Sequence, residues 1–196
     1  MMHTSDPGTR SRFLRIAGLC GVASPILSLG TVFLCVGISP WFNWHTNALS
    51  DIGVSRNAGL FNLALIAGGV LNGVLALGVG RWAGRGKLAR AGTMVLLTAA
   101  VALALVGVFP EDRILLHWPA AAMYFLLNPC AYALLGLAMV RQGRRLHGAL
   151  TLSTGLAAFL AIWLVPHDGI AVPEIIAAVI MSSWTFAMGM ELLLEP

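Results

Sequence analysis

The stretch Ala91–Phe109, AGTMVLLTAAVALALVGVF, decides the class of fold of this chain. It contains no charged residue, and its length matches the ~20 residues that a helix needs to cross a bilayer core. An arginine-rich turn, Arg81–Arg90, precedes it, and Pro110-Glu111-Asp112 follows it. This order of basic turn, apolar run and acidic connection predicts a transmembrane helix whose two ends face different surroundings.

Five further apolar runs of similar length accompany this one along the chain. The 196 residues are 58% hydrophobic and 10% charged, and the mean hydropathy is +0.85. That is too little polar surface for a soluble globule. We therefore expect an all-α fold, a polytopic membrane helix bundle with six transmembrane helices over residues 13–196, preceded by a disordered cytoplasmic tail at residues 1–12. The five other predicted helices are Phe13–Ile38, Asn57–Gly80, the run from Pro119 to Val140, His147–Val165 and Pro173–Leu194.

The positions of the basic residues predict the topology. All 12 Lys and Arg residues except Arg56 and Arg113 lie near the N-terminus or in two basic turns, residues 81–90 and 141–145. Because Lys and Arg concentrate on the cytoplasmic side, both termini are expected in the cytoplasm of a multi-pass protein of the cell membrane. The basic residues form no dense face alternating with aromatic residues, so no nucleic acid is expected as a partner.

The three connections on the opposite side hold the chemistry that the sequence suggests. The first, Trp41–Gly53, reads WFNWHTNALSDIG and places His45, Ser50 and Asp51 close together. The other two connections supply further histidines and carboxylates, among them Asp112, His117 and His167. Three histidines and several carboxylates on one side of a small bundle are the composition of a hydrolytic zinc site.

We accordingly expect a divalent metal such as zinc to be bound by His45, His117 and His167. In this hypothesis Asp51, Asp112 and Ser50 are the catalytic residues of a hydrolase that acts on a lipid or a small amphiphile. The chain has no His-x-x-x-His pair, so the ligands would come from separate connections.

Other interpretations of the same residues remain open. Ser50 with a histidine and an aspartate is also a nucleophile, base and orienting group. Alternatively, Ser50 or Asp51 caps a helix and the histidines lie at the water interface. The protein would then be a non-catalytic lipid-binding protein or an accessory subunit. Its expected partners are membrane lipid and, through the glycines of the second helix, another copy or another membrane subunit.

Three motifs resemble those of a known family. They are Asn-Ala-Leu-Ser-Asp-Ile-Gly at residues 47–53, Phe61-Asn62, and Gly-Val-Phe-Pro-Glu-Asp at residues 107–112 with His117 after it. On these motifs the chain resembles the uncharacterised "domain of unknown function 998" family of six-helix membrane proteins from bacteria and archaea. The resemblance implies the fold and membrane residence, and it implies no activity.

Overall fold

The structure of the protein is a computed structural model that describes the backbone of residues 7–195 and the side chains of residues 12–195. Six of its helices are long and apolar enough to cross a membrane. These are α1 (Pro7–Gly37), α2 (Ala58–Trp82), α3 (Lys87–Val108), α4 (Ile114–Arg141), α5 (Arg145–Leu164) and α6 (Ala171–Leu194). Residues 7–195 contain no strand. The predicted all-α fold of a six-helix membrane protein is confirmed.

Several helices are longer than the apolar runs that predict them. Helix α1 begins at Pro7, and α3 begins at Lys87, inside the predicted basic turn. Proline is favoured at a first helical position, where its missing N–H costs nothing. Hydropathy marks the part of a helix that suits lipid, whereas the helical backbone continues into water. The predicted tail, residues 1–12, is therefore helical from residue 7, and residues 1–6 lie outside the described part of the chain.

The six helices form a ring in chain order. Each helix packs against the next, and α6 returns to pack against α1 and closes the ring. At the closure the helices approach very closely, because Gly18 and Gly21 of α1 face Gly189 of α6. A Cβ atom on Gly189 would lie 2.7 Å from the backbone nitrogen of Val22 and 2.8 Å from the carbonyl oxygen of Gly18. Only glycine fits this contact, which is the packing that small residues allow between membrane helices.

The ring has two chemically different ends. The acidic end consists of the connections 38–57, 109–113 and 165–170, and it carries Trp41, Trp118 and Trp163 as exposed side chains. Exposed tryptophans at one level of a bundle are typical of a membrane interface. The basic end consists of the turns 83–86 and 142–144 with the start of α1 and the end of α6.

At the basic end, a polar contact joins α6 to the α4–α5 turn and to α2. The Glu195 carboxylate accepts hydrogen bonds from Trp82 Nε1 and, at 3.1 Å, from Arg144. The Arg144 guanidinium also lies 3.6 Å from the centre of the Trp82 ring, a favourable cation–π contact. Trp82 is thus buried, at 4% exposure, at the basic end of the ring.

The orientation of the ring in the membrane stays a prediction, and labelling of single cysteines tests it. Cys20, Cys35 and Cys130 are first replaced by alanine, and one cysteine is then placed at Arg113 or Arg85, both exposed and at opposite ends. With the acidic end outside, a membrane-impermeant maleimide labels the Arg113→Cys protein in intact cells. The Arg85→Cys protein reacts only after the cells are permeabilised. The reverse pattern would place both termini outside.

Candidate functional site

A cavity of about 80 Å³ lies inside the ring, in the half nearer the acidic end. All of the helices except α5 contribute to its wall. The wall is mostly apolar, with aliphatic and aromatic side chains such as Val32, Phe61, Leu65, Leu103, Tyr124 and Phe125. Toward the acidic end the lining contains Ser50, His117 and Glu174, and the hydroxyl side chains of Ser28 and Ser182 also contribute to the wall. A mainly apolar cavity with a few polar groups is typical of sites for small molecules.

A short 3-10 helix, Leu49–Val54, covers this polar end and is held in place by three side chains. Asp51 Oδ2 accepts hydrogen bonds from Asn47 Nδ2 at 2.6 Å and from the Ala48 amide at 3.0 Å, as an N-terminal capping residue does. Glu174 Oε2 accepts a hydrogen bond of 2.9 Å from the Leu49 amide. Asn62 Nδ2 donates to the Gly53 carbonyl at 2.9 Å. The sequence 47–53 therefore folds into a fixed cover, in which Ser50 is buried and lines the cavity.

His117 is the buried histidine of the site, with 6% exposure. It lies in the first turn of α4, and its Nδ1 lies 2.8 Å from the carbonyl oxygen of Phe109, at the end of α3. A carbonyl oxygen only accepts, so Nδ1 carries the proton and donates. In the neutral ring Nε2 then has a free lone pair, and the side chain that carries it lines the cavity. This contact fixes both the tautomer and the direction of the imidazole.

Glu111 connects these groups. Its carboxylate interacts with the side chains of Ser50 and Asp51 and, electrostatically, with His117. Its Oε2 atom is buried and has no hydrogen-bond donor among the described residues. A buried carboxylate oxygen without a donor is costly, so this atom marks an incomplete polar site.

The structure brings three of the six sequence-predicted site residues together and leaves three apart. Ser50 and His117 line the polar end of the cavity, and Asp51 lies beside it, where it interacts with Glu111. By contrast, the other three are exposed and do not line the cavity: His45, Asp112 and His167. The connections of His45 and His167 do touch, since the Gly169 amide donates to the His45 carbonyl. That contact is between backbones, and both imidazoles are exposed and do not line the cavity.

The expected metal centre does not fit this arrangement. Among residues 12–195 no group of three or more His, Cys, Asp and Glu side chains is placed to hold a metal ion. Of the predicted ligands His45, His117 and His167, only His117 is buried, and its Nδ1 is already used by Phe109. The physical reason is that His45 and His167 belong to solvent-exposed connections, which contact each other through their backbones and leave the two side chains at the surface.

Two residues of the site, Glu111 and Glu174, are absent from the set that the sequence predicts. Glu174 is only 8% exposed and lines the cavity from the first turn of α6. A signal for it exists in the sequence, because a carboxylate inside a membrane helix is costly and usually functional. Because Glu174 directly follows Pro173, the sequence also fits a carboxylate at an ordinary helix start. Glu111 gave no such signal, since it lies in a polar connection beside Asp112.

The comparisons with known proteins bear on the family alone. Neither the search of curated proteins nor the search of solved structures finds a match. The family model described as "Protein of unknown function (DUF998)" matches residues 21–191. This range includes α2 to α5 completely, most of α6, more than half of α1 and every residue of the site, so the family that the motifs 47–53 and 107–112 predict is confirmed. The chain is a member of this family of proteins of unknown function.

Proposed function

We propose that this membrane protein binds a small amphiphile in its cavity and hydrolyses it there, with His117 as the general base. One observation carries the proposal: a buried histidine with a fixed tautomer lines an apolar cavity. A general base must lie within hydrogen-bonding reach of the proton that it removes. In this proposal the proton belongs to a water molecule held at the polar end of the cavity, which the His117 side chain lines.

The chemistry follows from this geometry. His117 Nε2 takes a proton from the water as the water oxygen forms a bond to the carbonyl carbon of an ester or amide. The carbonyl electron pair moves to its oxygen and gives a tetrahedral intermediate. When the intermediate collapses, the bond to the leaving oxygen or nitrogen breaks, and the leaving group takes the proton from Nε2. The Phe109 carbonyl stabilises the imidazolium that forms between these steps, because it accepts the Nδ1–H.

The neighbouring residues have positioning roles in this scheme. Glu111, which interacts with Ser50 and is close to His117, holds the water together with the Ser50 hydroxyl. Asp51 acts through the cover, since its carboxylate is occupied by Asn47 and Ala48. No step passes through a metal ion, because the side chains of the site do not form a metal-binding group.

Binding without catalysis is the second candidate, and the mainly apolar lining of the cavity favours it. Membrane lipid is the expected source of the ligand.

Association with another copy or another membrane subunit stays a prediction. Two of the α2 glycines from which it was predicted face neighbouring helices of the same chain, so they give it less support. Gly69 of α2 packs inside the ring, where an added Cβ atom would lie 2.6 Å from the Ala100 carbonyl of α3. Gly68 likewise faces Ser28 of α1.

Hydrolysis of short-chain nitrophenyl esters by the purified protein in phosphatidylcholine nanodiscs tests the proposal. We expect saturable release of nitrophenolate in proportion to protein. The Ala178→Phe variant fills the cavity and should abolish the saturable rate, whereas the Ala157→Phe variant, with the same change at an exposed site on α5, should retain it.

The alternatives give different results in the same assay. Equal rates in both variants would place the hydrolysis outside the cavity. Ester binding that Ala178→Phe abolishes, without any product release from the wild type, would leave the binding role alone. Thermal unfolding of each variant shows whether its fold is retained.

A further inference from the structure

One carboxylate, Glu174, lines the polar end of the cavity. Asp51 and Glu111 do not line it, but they lie close enough to interact electrostatically with Glu174 and with one another. No Lys or Arg lines the cavity, and the ion pairs among the described residues, Arg144–Glu195 and His147–Glu191, lie at the basic end. Carboxylates that approach one another away from bulk water repel, and a positive group between them removes the repulsion.

The hydrogen bonds of Glu174, independently of the charge, leave it able to accept more donors. Glu111 Oε2 is also buried without a donor among the described residues, but that side chain does not line the cavity. Glu174 is more than nine-tenths buried and lines the cavity, and its one hydrogen bond among the described residues goes from the Leu49 amide to Oε2. A carboxylate has about four acceptor sites. Glu174 therefore offers unused acceptor sites to a ligand in the cavity.

The rest of the cavity suits the apolar part of a small cation. Phe61, Tyr124 and Phe125 line it, and aromatic faces attract positive charge. Its volume of about 80 Å³ is smaller than that of an engineered protein cavity of about 150 Å³ that holds benzene. It thus accommodates a headgroup or a short alkyl segment, and the remainder of a longer chain would have to lie outside it.

We infer that the amphiphile bound here carries a protonated amine, which donates N–H groups to Glu174 beside the negative charges of Glu111 and Asp51, while its carbon chain contacts the aromatic wall. The inference rests on the proposed binding in the cavity and narrows it to cationic ligands. A primary ammonium has three donors and one positive charge, which matches the surplus of acceptors and of negative charge. An anionic amphiphile would be repelled from the same place.

Three probes of equal chain length test the inference: n-butylamine, which is protonated at neutral pH, 1-butanol and sodium butyrate. Binding to the protein in phosphatidylcholine nanodiscs is measured by saturation-transfer NMR and by the shift of the thermal unfolding midpoint. We expect n-butylamine to bind at least about tenfold more tightly than 1-butanol, since hydrogen bonds to charged groups are the stronger ones. Butyrate is expected not to bind.

Paired variants identify the residues. Glu174→Gln keeps an acceptor for the Leu49 amide and removes the charge, so it should weaken n-butylamine binding at least about tenfold and leave 1-butanol unaffected. Asp168→Asn makes the same change at an exposed position of the acidic end and should leave both affinities unchanged.

The outcomes separate the inference from the proposed function. The inference of a cationic ligand is wrong if 1-butanol or butyrate binds as tightly as n-butylamine, or if Glu174→Gln binds the amine as the wild type does. Either result would leave the proposed binding in the cavity intact. If none of the three probes binds, both are wrong. Loss of 1-butanol binding in Glu174→Gln would show that the residue shapes the cavity and does not select charge, which also overturns the inference.

Discussion

Hydrolysis should fall by roughly 10²- to 10⁴-fold when His117 is replaced by glutamine, which is the range that a general base contributes. The glutamine amide has an N–H group that can still donate to the Phe109 carbonyl, so the contact between α3 and α4 is retained. What is lost is a nitrogen that can accept a proton near neutral pH. We therefore expect kcat to fall and KM to change little, because the apolar wall that binds the substrate is intact.

The exposed histidines provide matched controls for this experiment. His45→Gln and His167→Gln make the same chemical change at positions on the acidic end that do not line the cavity. Both should hydrolyse the nitrophenyl esters at the wild-type rate. A loss of activity in His167→Gln as large as in His117→Gln would contradict the assignment of the base and restore a site built from the two histidines together.

Replacing Gly189 with alanine is expected to lower the free energy of unfolding by about 2 kcal/mol, since overpacking a close contact has a cost of this size. The added Cβ atom would overlap backbone atoms of Val22, Gly18 and Gly21. Backbone cannot turn aside as the end of a flexible side chain does, so α6 has to move away from α1. The contact that closes the ring would loosen along its length.

Gly30→Ala is the matched control for Gly189→Ala. Gly30 is also a glycine inside a membrane helix, and a Cβ atom there would meet nothing within 4 Å. Alanine is the better helix former, so this variant should be as stable as the wild type or more stable by up to about 1 kcal/mol. Denaturant titration in detergent micelles measures both. Equal stability of the two variants would mean that the α1–α6 contact is looser than the glycines indicate.

The fold was predictable from the sequence because its signal is local. Each apolar run, such as Ala91–Phe109, identifies its own helix by length, and no knowledge of the other helices is needed. The ends of helices were less accurate, as at Pro7 and Lys87, because lipid contact and helical backbone do not end at the same residue. The order of the helices around the ring was not predictable, since it depends on contacts such as Gly18–Gly189 between distant parts of the chain.

For the site, the sequence predicts only the end of the bundle at which it lies. Sequence shows that Ser50, Asp51 and His117 lie at the same end of the bundle as His45 and His167. It does not show the distance of each side chain from the axis of the ring, which separates the buried His117 from the two exposed histidines. Glu174 is the clearest example of a residue whose role depends on tertiary packing. In the sequence it lies at the start of a helix, but α6 packs against the cover, and Glu174 therefore lines the cavity.

The closure of the ring by α1 and α6 has a consequence for biosynthesis. The ribosome makes α1 first and α6 last, so the surface around Gly18 and Gly21 has no partner until nearly the whole chain has been translated. During that time α2 already packs on α1 from the other side, and the growing molecule is an open arc with one uncovered edge at each end. The cavity has no complete wall before the last helix is inserted, because Glu174 and Ile175 belong to α6. A ligand is therefore bound only after α6 has been inserted, and a nascent chain released before that exposes the glycines of α1 to other membrane helices.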